Sequence, residues 1–226
     1  MGCCNSFGTL VVSMLVLLVS LGLTIAAILT DYWFLVGTDS VASDESRRRN
    51  NFNFGFWKKC YEDMPEVVPS DEHSSATANC VTIYERLTDT DANSSRELVI
   101  QLSRSYIGLS ITSAAAQLAT ILILLCGSWP GDCQRLAKPG LYITATFVLV
   151  IATMSGAAAG ICFIAARDVE RTDLALYEGL TTDYGWSFML HWIGAGLCFL
   201  DGFLILFMLR FSYEEVNSKF QNLYYS

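Results

Sequence analysis

Charge is the first thing this 226-residue sequence is short of. Only 16% of its residues are Asp, Glu, Lys or Arg, against about 25% in an ordinary soluble domain, and so little charge argues against a water-soluble enzyme. Basic residues are the rarer sign, 14 against 22 acidic for a net charge of -8. No overall positive field is therefore available to hold a polyphosphate, and nucleic-acid binding is set aside. Histidine is nearly absent: the two residues, His73 and His191, are far apart in sequence, and no CxxC pair or Cys/His cluster with zinc-like spacing occurs, so neither a metal site nor a cofactor is expected. The sequence also lacks a G-x-S-x-G elbow, an H-E-x-x-H helix and a G-x-x-x-x-G-K-[ST] loop, which leaves no catalytic constellation.

What the sequence has is apolar surface. Hydrophobic residues make up 53% of the chain and the mean hydropathy is +0.40. They sit in four blocks rather than at helical or strand period through one domain. A helix needs about 20 apolar residues to cross a hydrocarbon core of about 30 Å. Four stretches qualify, at 10–29, 106–127, 140–166 and 186–210, and the one acidic residue among their apolar cores is Asp201. The first stretch is longer than a signal-peptide core and no basic residue precedes it, so it reads as a retained anchor.

Four spans put both termini on one side. They leave a long loop (30–105), a short one (128–139) and a medium one (167–185), with an N-terminus at 1–9 and a tail at 211–226. Counting Lys and Arg hardly separates the sides, because the short loop has Arg135 and Lys138 and the medium loop Arg167 and Arg171. Two other signals decide. The long loop carries Cys60 and Cys80, a natural disulfide pair in an oxidising compartment, and Asn93-Ser94-Ser95, an N-glycosylation sequon. That loop is therefore expected outside and the termini in the cytoplasm, with one disulfide, Cys60 to Cys80. Cys126 and Cys133 fall near the inner face, and Cys162 and Cys198 inside spans.

The start, Met1-Gly2-Cys3-Cys4-Asn5-Ser6, fits the pattern for myristoylation of Gly2 and offers Cys3 and Cys4 for palmitoylation; a short solvated terminus is the plainer alternative. A loop as long as 30–105 is expected to fold. Phe52, Phe54 and Phe56 alternate as on one face of a strand, and Cys80-Val81-Thr82-Ile83-Tyr84 is a second strand candidate. A disulfide would staple the two into an antiparallel sheet, and the breaker-free run Arg96 to Leu102 extends the second span outward toward it.

Asp201 is costly inside a membrane and implies a partner: either a polar contact with a foreign helix, or a hydrogen bond to Gln117, Thr or Ser within the bundle. Gly156 and Gly160 form a GxxxG, and Gly194, with Gly196 and Gly202, presents a similar small surface, for intrachain packing or a partner helix. His191 reads as a hydrogen-bonded interfacial residue. Tyr32, Trp33, Trp57 and Trp186 suit the outer interface. Arg47-Arg48-Arg49 reads as a solvated turn or as a patch for an acidic receptor surface, and Tyr213-Glu214-Glu215-Val216 fits a tyrosine-based sorting pattern, although it lies very close to the membrane.

Trp33, then Phe54-Gly55-Phe56-Trp57-Lys58-Lys59-Cys60, then Cys80 resembles the W…[GN]LW..C…C signature of the claudin superfamily, over most of the chain. Thr182-Asp183-Tyr184-Gly185-Trp186-Ser187-Phe188 looks like the YGWSF segment of the transmembrane AMPA-receptor regulatory proteins and of the germ-cell-specific gene 1-like subunits. Thr30-Asp31-Tyr32-Trp33 similarly resembles the calcium-channel gamma branch. The resemblance implies a claudin-like all-α membrane four-helix bundle with a small extracellular antiparallel β-sheet. It implies a multi-pass plasma-membrane protein, synaptic or at cell junctions, that serves as an auxiliary, non-pore-forming subunit of a glutamate receptor or voltage-gated calcium channel. In those families the third and fourth spans and the outer loops touch the channel, and self-association is the further partner. The alternative the family offers is a claudin-type adhesion or barrier protein. Against that stand the wide Cys60–Cys80 spacing and a C-terminus, Asn222 to Ser226, without the terminal apolar residue that PDZ domains capture.

Overall fold

The structure, a computed structural model, describes residues 2–37, 51–61, 80–82, 94–128, 139–175, 177 and 179–224. In chain order its elements are α1 (Gly2–Leu29), β1 (Phe34–Gly37), β2 (Phe52–Phe54), β3 (Lys58–Tyr61), β4 (Cys80–Thr82), α2 (Ser94–Ser128), α3 (Pro139–Thr172), β5 (Thr181–Tyr184) and α4 (Trp186–Tyr224). The helices have 28, 35, 34 and 39 residues. At about 1.5 Å per residue each is long enough to cross a hydrocarbon core of about 30 Å. Their membrane-crossing windows are Gly8–Leu29, Ser95–Cys126, Gly140–Thr172 and Trp186–Phe211, each no more than 39% buried. Most of their surface is thus turned outward, and since it is apolar its solvent is lipid.

By its contacts the chain divides into two compact units, one of residues 1–24, 111–157 and 193–226 and the other of 25–110 and 158–192. The first is a four-helix bundle. Its core takes Leu10 and Leu17 from α1, Leu124 from α2, Leu149 and Ala152 from α3, and Cys198 and Ile205 from α4. Apolar packing alone gives lipid-surrounded helices little reason to associate in one register, because lipid tails are as apolar as Leu. Here the interior also holds polar groups. Ser20 Oγ lies 3.0 Å from Gln117 Oε1 and 2.8 Å from the Gly194 carbonyl oxygen, Gln117 Nε2 donates to Thr24 Oγ1 at 3.3 Å, and Ser113 Oγ donates to the Ala152 carbonyl at 2.8 Å. All four helices are keyed by this set.

The second unit is built on a five-stranded antiparallel sheet of order β4-β3-β2-β1-β5. Phe34 pairs with Phe54 and with Tyr184, and Cys60 with both Asn53 and Cys80. Strand alternation puts Phe34, Val36 and Phe54 on one buried face. That face packs on Trp33, Phe56, Tyr106, Phe163, Tyr177 and Phe188.

Three features differ from the expectation. The strand does not run from Phe52 through Phe56: it stops at Phe54, and Gly55 to Trp57 turn the chain into β3, with Gly55 N–H donating to the Lys58 carbonyl at 2.7 Å. Strands β1 and β5 complete the sheet from segments that read as loop. The third helix continues past Ala166 to Thr172, because Arg167 and Glu170, which look solvated in sequence, pair with each other and are buried.

Candidate functional site

Trp33 is the centre of the second unit. The chain leaves α1 at Leu29, and after three intervening residues the Trp33 ring comes back over the helix end, where its Nε1–H donates to the Ala27 carbonyl at 2.5 Å. The side chain is fully buried. Its ring centroid lies 5.2 Å from Phe56, 4.9 Å from Phe163, 6.0 Å from Phe188 and 5.1 Å from His191, in the tilted and edge-on arrangements that aromatic quadrupoles favour. A buried indole needs an acceptor for its N–H, and the unpaired carbonyls of a helix C-terminus supply one.

The backbone around Trp33 is fixed from two directions. Its N–H donates to the Phe54 carbonyl and its carbonyl accepts from Gly185 N–H, both at 3.0 Å, while the Tyr32 carbonyl accepts from Ser187 N–H at 3.1 Å. Such an approach leaves no room for a Cβ at either glycine. One added at Gly55 would overlap the Asp31 backbone and side chain, and one at Gly185 would overlap the Tyr32 carbonyl. Ser187 Oγ is 2.8 Å from Thr30 Oγ1, Tyr184 stacks on Phe188 at 4.6 Å and Trp186 on Tyr32 at 5.6 Å. The segments Phe54 to Cys60 and Tyr184 to Phe188 are therefore two halves of one clamp around Asp31-Tyr32-Trp33. Gly55, Phe56, Gly185, Ser187 and Phe188 face that turn, whereas Trp186 is half exposed. Burial holds the Asp31 carboxyl above the ordinary Asp value of 3.8, with the Lys58 charge pulling the other way.

A buried ion cluster that the sequence reading missed lies on the sheet's packed face. Arg167 Nη1 is 2.6 Å from Glu170 Oε2, the Tyr177 hydroxyl donates to the same carboxylate at 2.5 Å, and the guanidinium stacks 4.0 Å from the Phe54 ring centroid. Burial, and then the Glu170 charge, push the Tyr177 phenol well above its usual value. The i,i+3 spacing of Arg167 and Glu170 was the available signal, since it continues the helical period with no breaker before Asp173.

In the first unit the small residues face their own chain. A Cβ at Gly156 would meet Ser113 Oγ at 3.0 Å, and one at Gly194 would meet Thr24 Oγ1 at 3.0 Å and the Ser20 carbonyl at 3.3 Å. Within the second unit, a Cβ at Gly160 would fall 2.7 Å from the Trp192 indole. Asp201 has no exposed surface, and its Oδ2 accepts from Ser13 Oγ at 3.1 Å. In this structure, then, Asp201 and these glycines serve the packing of their own helices, while Gly196 has nothing within 4 Å of where a Cβ would stand.

Cys60 and Cys80 are disulfide-bonded between the paired strands β3 and β4. Cys126, Cys162 and Cys198 are free. Gly2, Cys3 and Cys4 form the first residues of α1. Asn93, Arg47 to Arg49, His73 and Cys133 lie outside the described residues. Among the described residues no three His, Cys, Asp or Glu side chains converge as a metal site would require. On the sheet's other face is a concavity of about 560 Å³ that includes Leu35, Asn51, Asn53, Tyr61, Thr181 and Asp183 in its lining. The second unit thus offers a concave sheet face backed by an aromatic clamp, and the helices offer apolar outward faces: the chemistry available is that of association.

No curated protein matches the chain. Residues 18–207, which contain Trp33, the Gly55 turn, both disulfide cysteines and the Gly185 segment, match the PMP-22/EMP/MP20/Claudin tight junction family, and the chain belongs to that family.

Proposed function

We propose that this protein is an auxiliary, non-pore-forming subunit of a cell-surface ion channel, either an ionotropic glutamate receptor or a voltage-gated calcium channel. Both termini are cytoplasmic in this reading, and the disulfide-stapled sheet is extracellular. The carrying observation is where side chains point. Gly156, Gly160, Gly194 and Asp201 are taken up within the chain, whereas α3 turns Phe147 and Met154 outward, 67% and 66% exposed and two helical turns apart. A partner helix would lie along that ridge and along the outward face of α4, while the outer sheet meets the channel's extracellular part. Gating is modulated only to the extent that these contacts differ between channel states, and trafficking follows from assembly.

A second reading, adhesion or barrier formation between copies, is favoured by the concave sheet face, whose lining combines polar Asn51, Asn53 and Asp183 with apolar Leu35. Mild-detergent purification of the tagged protein from cells that express it naturally, followed by mass spectrometry, separates the two. Recovery of a pore-forming subunit supports the auxiliary role. Recovery of the protein itself with junctional proteins alone overturns it in favour of adhesion.

A further inference from the structure

Helix α4 carries an exposed aromatic column inside its membrane-crossing window. Phe199, Phe203, Phe207 and Phe211 follow each other at four-residue spacing, each between 47% and 56% exposed. Four residues advance a helix by slightly more than one turn, so the column stays on one side and climbs about 18 Å, a little more than half of a hydrocarbon core of about 30 Å. Its rings pair edge to face, Phe199 with Phe203 at 5.0 Å and Phe207 with Phe211 at 4.6 Å. The exposed large apolar side chains of α1 and α2 in the same unit are, among the described residues, all Val, Leu or Ile, the ordinary covering for acyl chains. At the end of the column sits a polar group: Arg210 Nε lies 3.3 Å from Glu214 Oε1, both side chains well exposed.

We infer that this column binds one membrane sterol, its flat ring system against Phe203 and Phe207 and its hydroxyl at the Arg210–Glu214 pair. Three properties of the surface select a sterol over an acyl chain. Rigid aromatic faces match a rigid fused-ring face and lose little conformational entropy on contact. The column's length matches a molecule that occupies one leaflet. A guanidinium has five donors and Glu214 one pair of acceptor oxygens, so a single hydroxyl at the end of the column finds both kinds of partner. The site needs no other protein, but it occupies part of the outward α4 face on which the channel reading lays a partner helix.

The test uses the full chain in vesicles containing a photoactivatable cholesterol, with crosslinked peptides mapped by mass spectrometry. Crosslinks are expected to concentrate on 199–211, to fall at least about five-fold in Phe203→Leu/Phe207→Leu, to fall in Arg210→Gln, and to be competed by cholesterol better than by its 3α-hydroxyl epimer. The wild-type map stands without any variant, and the leucine substitutions keep an apolar helix face. Crosslinks spread evenly over α1 and α2, as bulk lipid would give, or equal competition by the two epimers, overturn the proposal.

Discussion

The Trp33 indole N–H donates to the Ala27 carbonyl at 2.5 Å, closing the C-terminal end of α1 with a side chain from six residues further on. That bond and the four aromatic neighbours around the ring make Trp33 the point where helix ends, turn and sheet of the second unit meet.

Replacing Trp33 with Ala leaves a cavity the size of an indole and exposes the helix end, and is expected to destabilise the protein by about 3–5 kcal/mol. Trp33→Phe keeps part of the packing but loses the N–H donor, and falls between. Thermal unfolding in detergent measures both. Equal stability of Trp33→Ala and wild type would contradict the central place given to this residue.

Gly55→Ala and Gly185→Ala each push a methyl group into backbone that has no room to retreat. Both are expected to cost more than about 3 kcal/mol, at the upper end for overpacking, and to reduce the folded protein recovered. Gly196→Ala is the control, because a Cβ there meets nothing within 4 Å and alanine is the better helix former by up to about 1 kcal/mol. Comparing the yield and melting temperature of the three variants checks this.

Arg167→Met or Glu170→Leu alone strands a buried charge, and each is expected to destabilise by about 3–5 kcal/mol. The double substitution removes both charges and keeps volume, so it is expected to cost much less than the sum of the two. A double-mutant cycle on thermal stability reads the coupling, and simple additivity would contradict a buried pair.

Asp31 binds its proton more tightly in the folded than in the unfolded protein. Its contribution to stability is therefore fully present below the ordinary value of 3.8 and is lost as pH rises through the raised folded value. Asp31→Asn cannot ionise, and its advantage over wild type is expected to be larger at pH 7 than at pH 4. A difference between the two proteins that stays constant across that range would show that burial does not disfavour the charged form.

Much of this was legible in the sequence, and the remainder was hidden for identifiable reasons. The four spans follow from apolar blocks, and the disulfide from two cysteines sharing one loop. The turn at Gly55 was misread as strand because Phe52, Phe54 and Phe56 alternate, a pattern that a turn placing Phe56 against Trp33 satisfies equally well. Strands β1 and β5 have four residues each and exist through pairing with each other across about 145 positions of chain, which no local window registers. Asp201 has its Ser13 partner 188 residues away, so the sequence supplied the cost of the buried carboxyl without its solution. Arg167 and Glu170 fall in the 167–185 stretch that reads as a loop, and their burial depends on the sheet, where Phe54 stacks on the guanidinium.

The role proposed above is lateral binding through outward helix faces, with the interior occupied by the chain's own side chains. A photoreactive amino acid placed at Met154, turned outward, or at Ala152, fully buried on the same helix, tests it most directly in cells that express the protein naturally. Position 154 is expected to crosslink to a pore-forming channel subunit and position 152 only within the chain. Crosslinks from position 154 to lipid or to further copies of the same protein, with no channel subunit recovered, would contradict it.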